Sequence, residues 1–363
     1  MLAIAVNHVV LSVERLGSAQ VRIPTLGVFG YSSAAELFFG LSGYLVGLVY
    51  LRRSGATKGL WRRAWLIYRV NAVAFGVCLL IVACLPSLVD TALEFDVIQA
   101  HPWIGILLFL TMLQQPFLLD VLQIYVVLML VAPLVALGFK RSPRTTLLIS
   151  GAVYLATQVF PWFALPQAIL SSNGSWTFST TWAMHPLSWQ FLFYGSMFAG
   201  TLGAHEKLFA WLEASSTRRL AVLALYGLVA ACRLSARFGY WGYPPLIAKE
   251  TLAPLRLAHF LLTTLFLCSV LVALKSYIHH PVSRLVALVG RQTLYGFAAS
   301  IPATYLATGL WFGAGRTYPA YLLSCALVVA VVILASWAAD ARRSAKPPFR
   351  GEERRLGQAP TAP

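Results

Sequence analysis

The stretch Tyr31-Ser-Ser-Ala-Ala-Glu-Leu-Phe-Phe-Gly-Leu-Ser-Gly-Tyr-Leu-Val-Gly47 decides what kind of chain this is. It heads a membrane span, yet it carries Glu36, one of only two carboxylates inside the apolar segments. A charge at that depth is costly, so the residue is a functional-site candidate. The bland alternative is a carboxylate at a helix start, favoured by the dipole and preceded by Ser32 and Ser33 as caps. Position alone leaves both readings open.

The composition around this stretch agrees with a membrane span. Of 363 residues, 59% are hydrophobic and 11% charged, with a mean hydropathy of +0.73. A soluble globule carries about a quarter charged residues, so this is a polytopic membrane protein. The net charge of +16 does not require nucleic acid, because the basic residues lie mainly in short breaks between apolar runs, where topogenic charges belong. Cys78, Cys84, Cys232, Cys268 and Cys325 are odd in number and form no C-x-x-C pair, so neither a disulfide framework nor a metal site is expected. Met1 to Val13 has no basic region followed by a cleavage site and reads as part of a span. P-loop, G-x-S-x-G and H-E-x-x-H motifs are absent from the sequence.

A helix needs about 20 apolar residues to cross the hydrocarbon core. Ten segments are candidates: 1–13, 33–51, 64–86, 117–138, 145–163, 187–204, 219–234, 257–275, 285–310 and 318–339. The expected fold is all-α, one bundle of about ten transmembrane helices over residues 1–340, followed by a basic, disordered cytoplasmic tail over 341–363. Trp103 to Leu113 is too short to cross and reads as interfacial or re-entrant. Alternation puts Arg52, Arg53, Lys58, Arg62, Arg63, Lys140, Arg141, Lys207, Arg218 and Lys275 on one face. The positive-inside rule makes that face, and both termini, cytoplasmic. His8, Glu36 and Asp120 then lie toward the outer ends of their helices.

Each polar residue has two readings. His8 is a general base near neutral pH or an interfacial histidine. Asp120 shares a helix face with Gln123, while Tyr125 points elsewhere; a cap and a binding role are equally open. Arg69 holds an anion arriving from the cytoplasm or snorkels. Gly43 and Gly47 form a G-x-x-x-G, which usually means close helix packing. Trp182, His185, Trp189 and Gln190 suit either an interfacial belt or sugar stacking. Lys249, Glu250, Arg256 and His259 mark either a carboxylate site or a membrane boundary.

Six segments in order resemble the OpgC family of membrane acyltransferases, related to the wider acyltransferase family three. They are Asn7-His8, Phe29 through Tyr44, Asp120-Val-Leu-Gln-Ile-Tyr125 with Pro133, His185-Pro-Leu-Ser-Trp-Gln-Phe-Leu-Phe193, Lys249 with Pro254-Leu-Arg-Leu-Ala-His259, and Gly290-Arg-Gln-Thr-Leu-Tyr-Gly-Phe297. The resemblance runs to about Asp340. It implies transfer of an acyl group, typically succinyl, from cytoplasmic acyl-CoA to a periplasmic glucan, in the bacterial inner membrane. It matches His8 to the family's proposed base, Glu36 to the glutamate of Ala-Ala-Glu, Asp120 to the aspartate of its segment and Arg256 to the arginine of Pro-Leu-Arg.

Two departures stand out. Asn7 and Ser33 replace residues that are commonly aspartate in the family. Only seven residues precede His8, where members carry an Arg/Asp-rich stretch ending in Arg-Gly, so a shortened first helix is expected.

On this resemblance His8 deprotonates an acceptor hydroxyl or briefly carries the acyl group, and Glu36 orients it. Arg62, Arg63 and Arg69 contact the phosphates of acyl-CoA. Asp120, Tyr125, Trp189, Gln190, Lys249 and Arg256 bind substrate, with Lys249 or Arg256 pairing a succinyl carboxylate. Trp182, Trp189, Trp241 and Tyr243 stack on sugar rings. The partners are the bilayer, acyl-CoA and the glycan, with no nucleic acid and no resident cofactor. The rivals are a transporter or flippase for a small anion or lipid-linked glycan, and a shortened, noncatalytic family member.

Overall fold

The computed structural model describes residues 1–17, 23–51, 56–85, 93–160, 163, 167–179, 182–240, 242–244 and 246–344. Its helices are α1 Leu2–Arg15, α2 Ala34–Val46, α3 Ala56–Cys84, α4 Asp96–Ala100, α5 Pro102–Leu110, α6 Asp120–Arg141 and α7 Pro143–Val159. After a hairpin of β1 Gln167–Leu170 and β2 Trp176–Ser179 come α8 Pro186–Thr201, α9 Ala204–Glu213, α10 Ser216–Arg237, α11 Pro254–Ala273, α12 Pro281–Arg291, α13 Thr293–Gly313 and α14 Tyr318–Ser344. A π turn, Gly47–Leu51, prolongs α2.

Local chemistry accounts for several boundaries. Proline opens α7, α8, α11 and α12, where its missing N–H has no intrahelical partner to lose. Asp120 sits in the first turn of α6 and Lys140 and Arg141 in its last, each complementing the helix dipole. Ser33 caps α2 in a box with Glu36.

Each of the ten apolar segments overlaps a helix, and among the described residues six helices are long and apolar enough to cross a membrane: Ala34–Leu51, Thr57–Cys84, Asp120–Arg141, Ser216–Arg237, Pro254–Ala273 and Tyr318–Ser344. Leu220, Leu225 and Leu228 of α10 are exposed, an apolar surface that a bilayer would cover. The remaining segments are shorter or more polar. Helices α1, α7 and α8 have 14, 17 and 16 residues.

The segment expected at 285–310 is not continuous. Gln292 leaves helical geometry (φ −106°, ψ 33°), separating α12 from α13, and its side-chain amide donates to Asp340 Oδ1 on α14 at 2.9 Å. Trp103 to Leu113 forms the nine-residue α5 and a turn, with Phe109 stacked on Phe75 of α3 at 3.8 Å.

Helix α13 packs against α1, α3 and α14, and so lies at the centre. Its burial explains its polarity: the hydroxyls of Ser300, Thr304 and Thr308 donate to backbone carbonyls of their own helix, at 2.7, 2.7 and 2.6 Å. Ser324 of α14 donates to the Ala307 carbonyl at 3.0 Å. Helices α2 and α8 approach so closely that a Cβ on Gly43, Gly47 or Gly200 would collide with the backbone carbonyl of Phe193, Met197 or Tyr44 respectively. The packing reading of Gly43-x-x-x-Gly47 is therefore the structural one.

The hairpin interrupts the all-helical pattern between α7 and α8. One side chain docks it: Gln114 accepts from the Leu170 N–H at 3.0 Å and donates to the Leu170 carbonyl at 3.2 Å, as a neighbouring strand would.

Candidate active site

A cavity of about 640 Å³ opens beneath the hairpin, within the range of small-molecule clefts. Leu11, Phe117 and Ile124 give it apolar lining, Gln114, Gln115 and Gln123 supply amides, and Ser171, Ser172 and Trp182 come from the hairpin and the loop after it. Its charged groups are Arg15, Glu94, Asp96, Asp120, Lys249 and Glu250. Arg15 bridges to Glu94 at 2.8 Å and lies 4.0 Å from the Phe117 ring centroid. Asp120 and Lys249 therefore both line this cavity.

His8 lies on the same face of α1 as Leu11 and Arg15, about 10 Å below Arg15 at 1.5 Å per residue. It is buried, edge-on to Phe297 at 5.4 Å. Its Nδ1 is 3.2 Å from the Ser300 hydroxyl, which already donates its one hydrogen to the Phe297 carbonyl at 2.7 Å. With the Ser300 hydrogen directed at the Phe297 carbonyl, the proton of His8 is assigned to Nδ1, which leaves the Nε2 lone pair available as a base.

A second cavity, about 190 Å³, lies toward the opposite end of the helices. Among the described residues, Phe38, Ser42, Leu45, Val46, Val49, Tyr50, Tyr125, Thr293 and Leu294 line it with one cation, Arg63. An aromatic group separates it from His8: Phe38 stacks on Phe297 at 5.0 Å and meets Tyr125 edge-on at 5.5 Å.

The structure redistributes several expected roles. Glu36, fully buried, is not directed at His8. Its Oε1 takes Arg256 Nη2 at 2.5 Å and Nε at 2.7 Å, while its Oε2 accepts from the Ser33 N–H at 2.7 Å and hydroxyl at 2.6 Å. The charge of Arg256 is thus matched internally by Glu36 rather than held ready for a substrate carboxylate. Next to it His259 accepts from the Ser32 N–H at 3.1 Å, so Arg256 and His259 secure the start of α2 while Lys249 and Glu250 face the cavity.

Trp189 has no exposed face for a sugar. It is fully buried, and its indole N–H donates to the Lys249 and Glu250 carbonyls at 3.1 and 3.2 Å. Gln190 is locked to Ser150 of α7 through two hydrogen bonds of 2.6 and 2.8 Å. Tyr125 lines the second cavity, away from Asp120. Of the three arginines assigned to acyl-CoA, Arg63 lines the second cavity, Arg62 is exposed, and Arg69 is exposed with its guanidinium 5.9 Å from the Trp65 ring. Tyr243 is exposed and stacks with Arg233 at 4.3 Å; Trp241, Arg52, Arg53 and the tail from 345 lie outside the described residues.

Sequence reading missed Ser300 and the Arg15–Glu94 rim. Ser300 had one available signal, its place one helical turn after Phe297 at the end of a quoted motif. Glu94 had none, since only folding brings it within reach of Arg15, 79 positions away.

A family model described as OpgC protein matches residues 1–344. No curated protein matches, and no solved structure matches. The chain, matched over nearly its whole length, is a membrane protein that belongs to the OpgC family.

Proposed function

We propose that this chain is an integral-membrane O-acyltransferase of the bacterial inner membrane, moving an acyl group, succinyl by family analogy, from cytoplasmic acyl-CoA to a hydroxyl of a periplasmic glucan. In this reading the ten apolar segments cross the bilayer, both termini are cytoplasmic, and the hairpin end faces the periplasm. The larger cavity receives the glycan, with Asp120, Gln123 and Lys249 among its hydrogen-bonding groups. The smaller one admits the acyl thioester, with Arg63 at the cation position.

The observation that carries the reading is His8. A histidine whose Nδ1–H is fixed by Ser300 presents Nε2 as base, in a helix whose end lines one cavity and beside the aromatic group lining the other. Nε2 accepts the acceptor's hydroxyl proton as its oxygen bonds to the thioester carbonyl carbon. The carbon–sulfur bond then breaks, and the proton passes from Nε2 to the leaving thiolate. Phe38, Phe297 and Tyr125 keep water from the thioester.

The test is transfer of labelled succinate from succinyl-CoA to glucan in membranes. His8→Ala should lower the rate about 10²–10⁴-fold, the usual range for a general base. Ser300→Ala should have a smaller effect that Ser300→Thr restores. Parental activity in His8→Ala removes this histidine from the mechanism. The two-cavity arrangement also suits a transporter, which would carry glycan or anion across vesicles without consuming acyl-CoA.

A further inference from the structure

The charges of the larger cavity do not balance. Among the described residues, Arg15 and Lys249 face Glu94, Asp96, Asp120 and Glu250. Arg15 is committed to Glu94 at 2.8 Å, which leaves Lys249 facing three further carboxylates. Among the described residues the carboxylates thus exceed the cations by two. The excess stays negative even with Asp120 protonated. The other polar groups are neutral: three glutamine amides, two serines and the Trp182 indole. Such a lining hydrogen-bonds hydroxyls, and Lys249 meets more carboxylates than its one charge can neutralise.

We infer that this cavity selects against carboxylate-bearing glycans, so that it takes an uncharged segment of its acceptor and expels that segment once it carries a succinyl half-ester. The inference rests on the acceptor assignment made above. It adds a product-release step driven by charge: each turnover converts a neutral ligand into an anionic one inside a net-negative cavity. Acylation then becomes self-limiting along a chain, because a segment already modified is a poorer ligand than its unmodified neighbour.

The size of the effect follows from Coulomb's law. Two excess charges about 8 Å from a ligand carboxylate, even at the dielectric of water, weaken binding by roughly fivefold, and more where water is excluded. Salt at 0.5 M should erase most of it.

The experiment uses the full-length protein in nanodiscs of zwitterionic lipid, without acyl-CoA. Tryptophan fluorescence follows the binding of three probes: a neutral glucan oligosaccharide, the same oligosaccharide with one succinyl half-ester, and its methyl ester. Expected at 20 mM salt is at least fivefold weaker binding of the half-ester, with the methyl ester within twofold of the parent. The preference should shrink in 0.5 M salt and in the Asp96→Asn/Glu250→Gln variant, whose melting temperature reports its folding. Equal or tighter binding of the half-ester overturns the inference while leaving the acceptor assignment intact. Equal weakening of ester and half-ester overturns it in favour of steric exclusion. If no glucan binds, the acceptor assignment falls and the inference with it.

Discussion

Glu36 shows how much a single side chain's role depends on what folding brings beside it. Its carboxylate links the cap of α2 to Arg256 at the start of α11, 220 positions away. The sequence made it conspicuous and even supplied its nearer partner, Ser33, through the capping spacing. It could not supply Arg256, so the residue was assigned to His8 instead. Removing one member of a buried pair leaves the other charge uncompensated, at about 3–5 kcal/mol. Glu36→Gln should therefore melt at lower temperature in detergent, and Glu36→Leu combined with Arg256→Met should recover part of the loss. A Glu36→Gln protein as stable as the parent would contradict this structural role. His8 is the opposite case: its candidacy was legible from type and position, but its tautomer is set by Ser300, a hydroxyl with many equally plausible sequence neighbours.

At the scale of elements, apolar runs were the most readable feature, because a length of about 20 residues is a one-dimensional property. What failed was continuity. The break at Gln292 is announced only by Gly290, two positions earlier inside α12; a hydrogen bond from its side-chain amide to Asp340, 48 positions later, stabilises it. The hairpin was hidden for a similar reason, since its dock is the side chain of Gln114, 56 positions from Leu170. The α2–α8 contact was half legible: the spacing of Gly43 and Gly47 announced close packing but not the partner. Gly47→Leu should separate these helices. Its measure is loss of an engineered disulfide between α2 and α8 that forms in the parent, together with reduced expression; undiminished cross-linking would mean that α8 tolerates a side chain there. Because neither glycine lines the larger cavity, any fall in acyl transfer should accompany that separation.

For the whole molecule, the proposed ten crossings place the hairpin on one side of the bilayer and the α6–α7 and α9–α10 junctions on the other. Single cysteines in a cysteine-free background test this directly. Ser172→Cys should react with an impermeant maleimide in intact spheroplasts, whereas Ser142→Cys and Ser215→Cys should react only after permeabilisation. Labelling of Ser142→Cys and Ser172→Cys from the same side would refute the arrangement. Within it, α13 raises a question of biogenesis. It is central, yet it carries Ser300, Thr304 and Thr308 and is not among the six strongly apolar helices. A translocon reading one segment at a time has little reason to release such a helix into lipid. Ser324 reaching the Ala307 carbonyl, within the extensive contact between α13 and α14, offers a way in: if α13 and α14 enter as a pair, the histidine's hydroxyl partner reaches its place only once α14 has been synthesised.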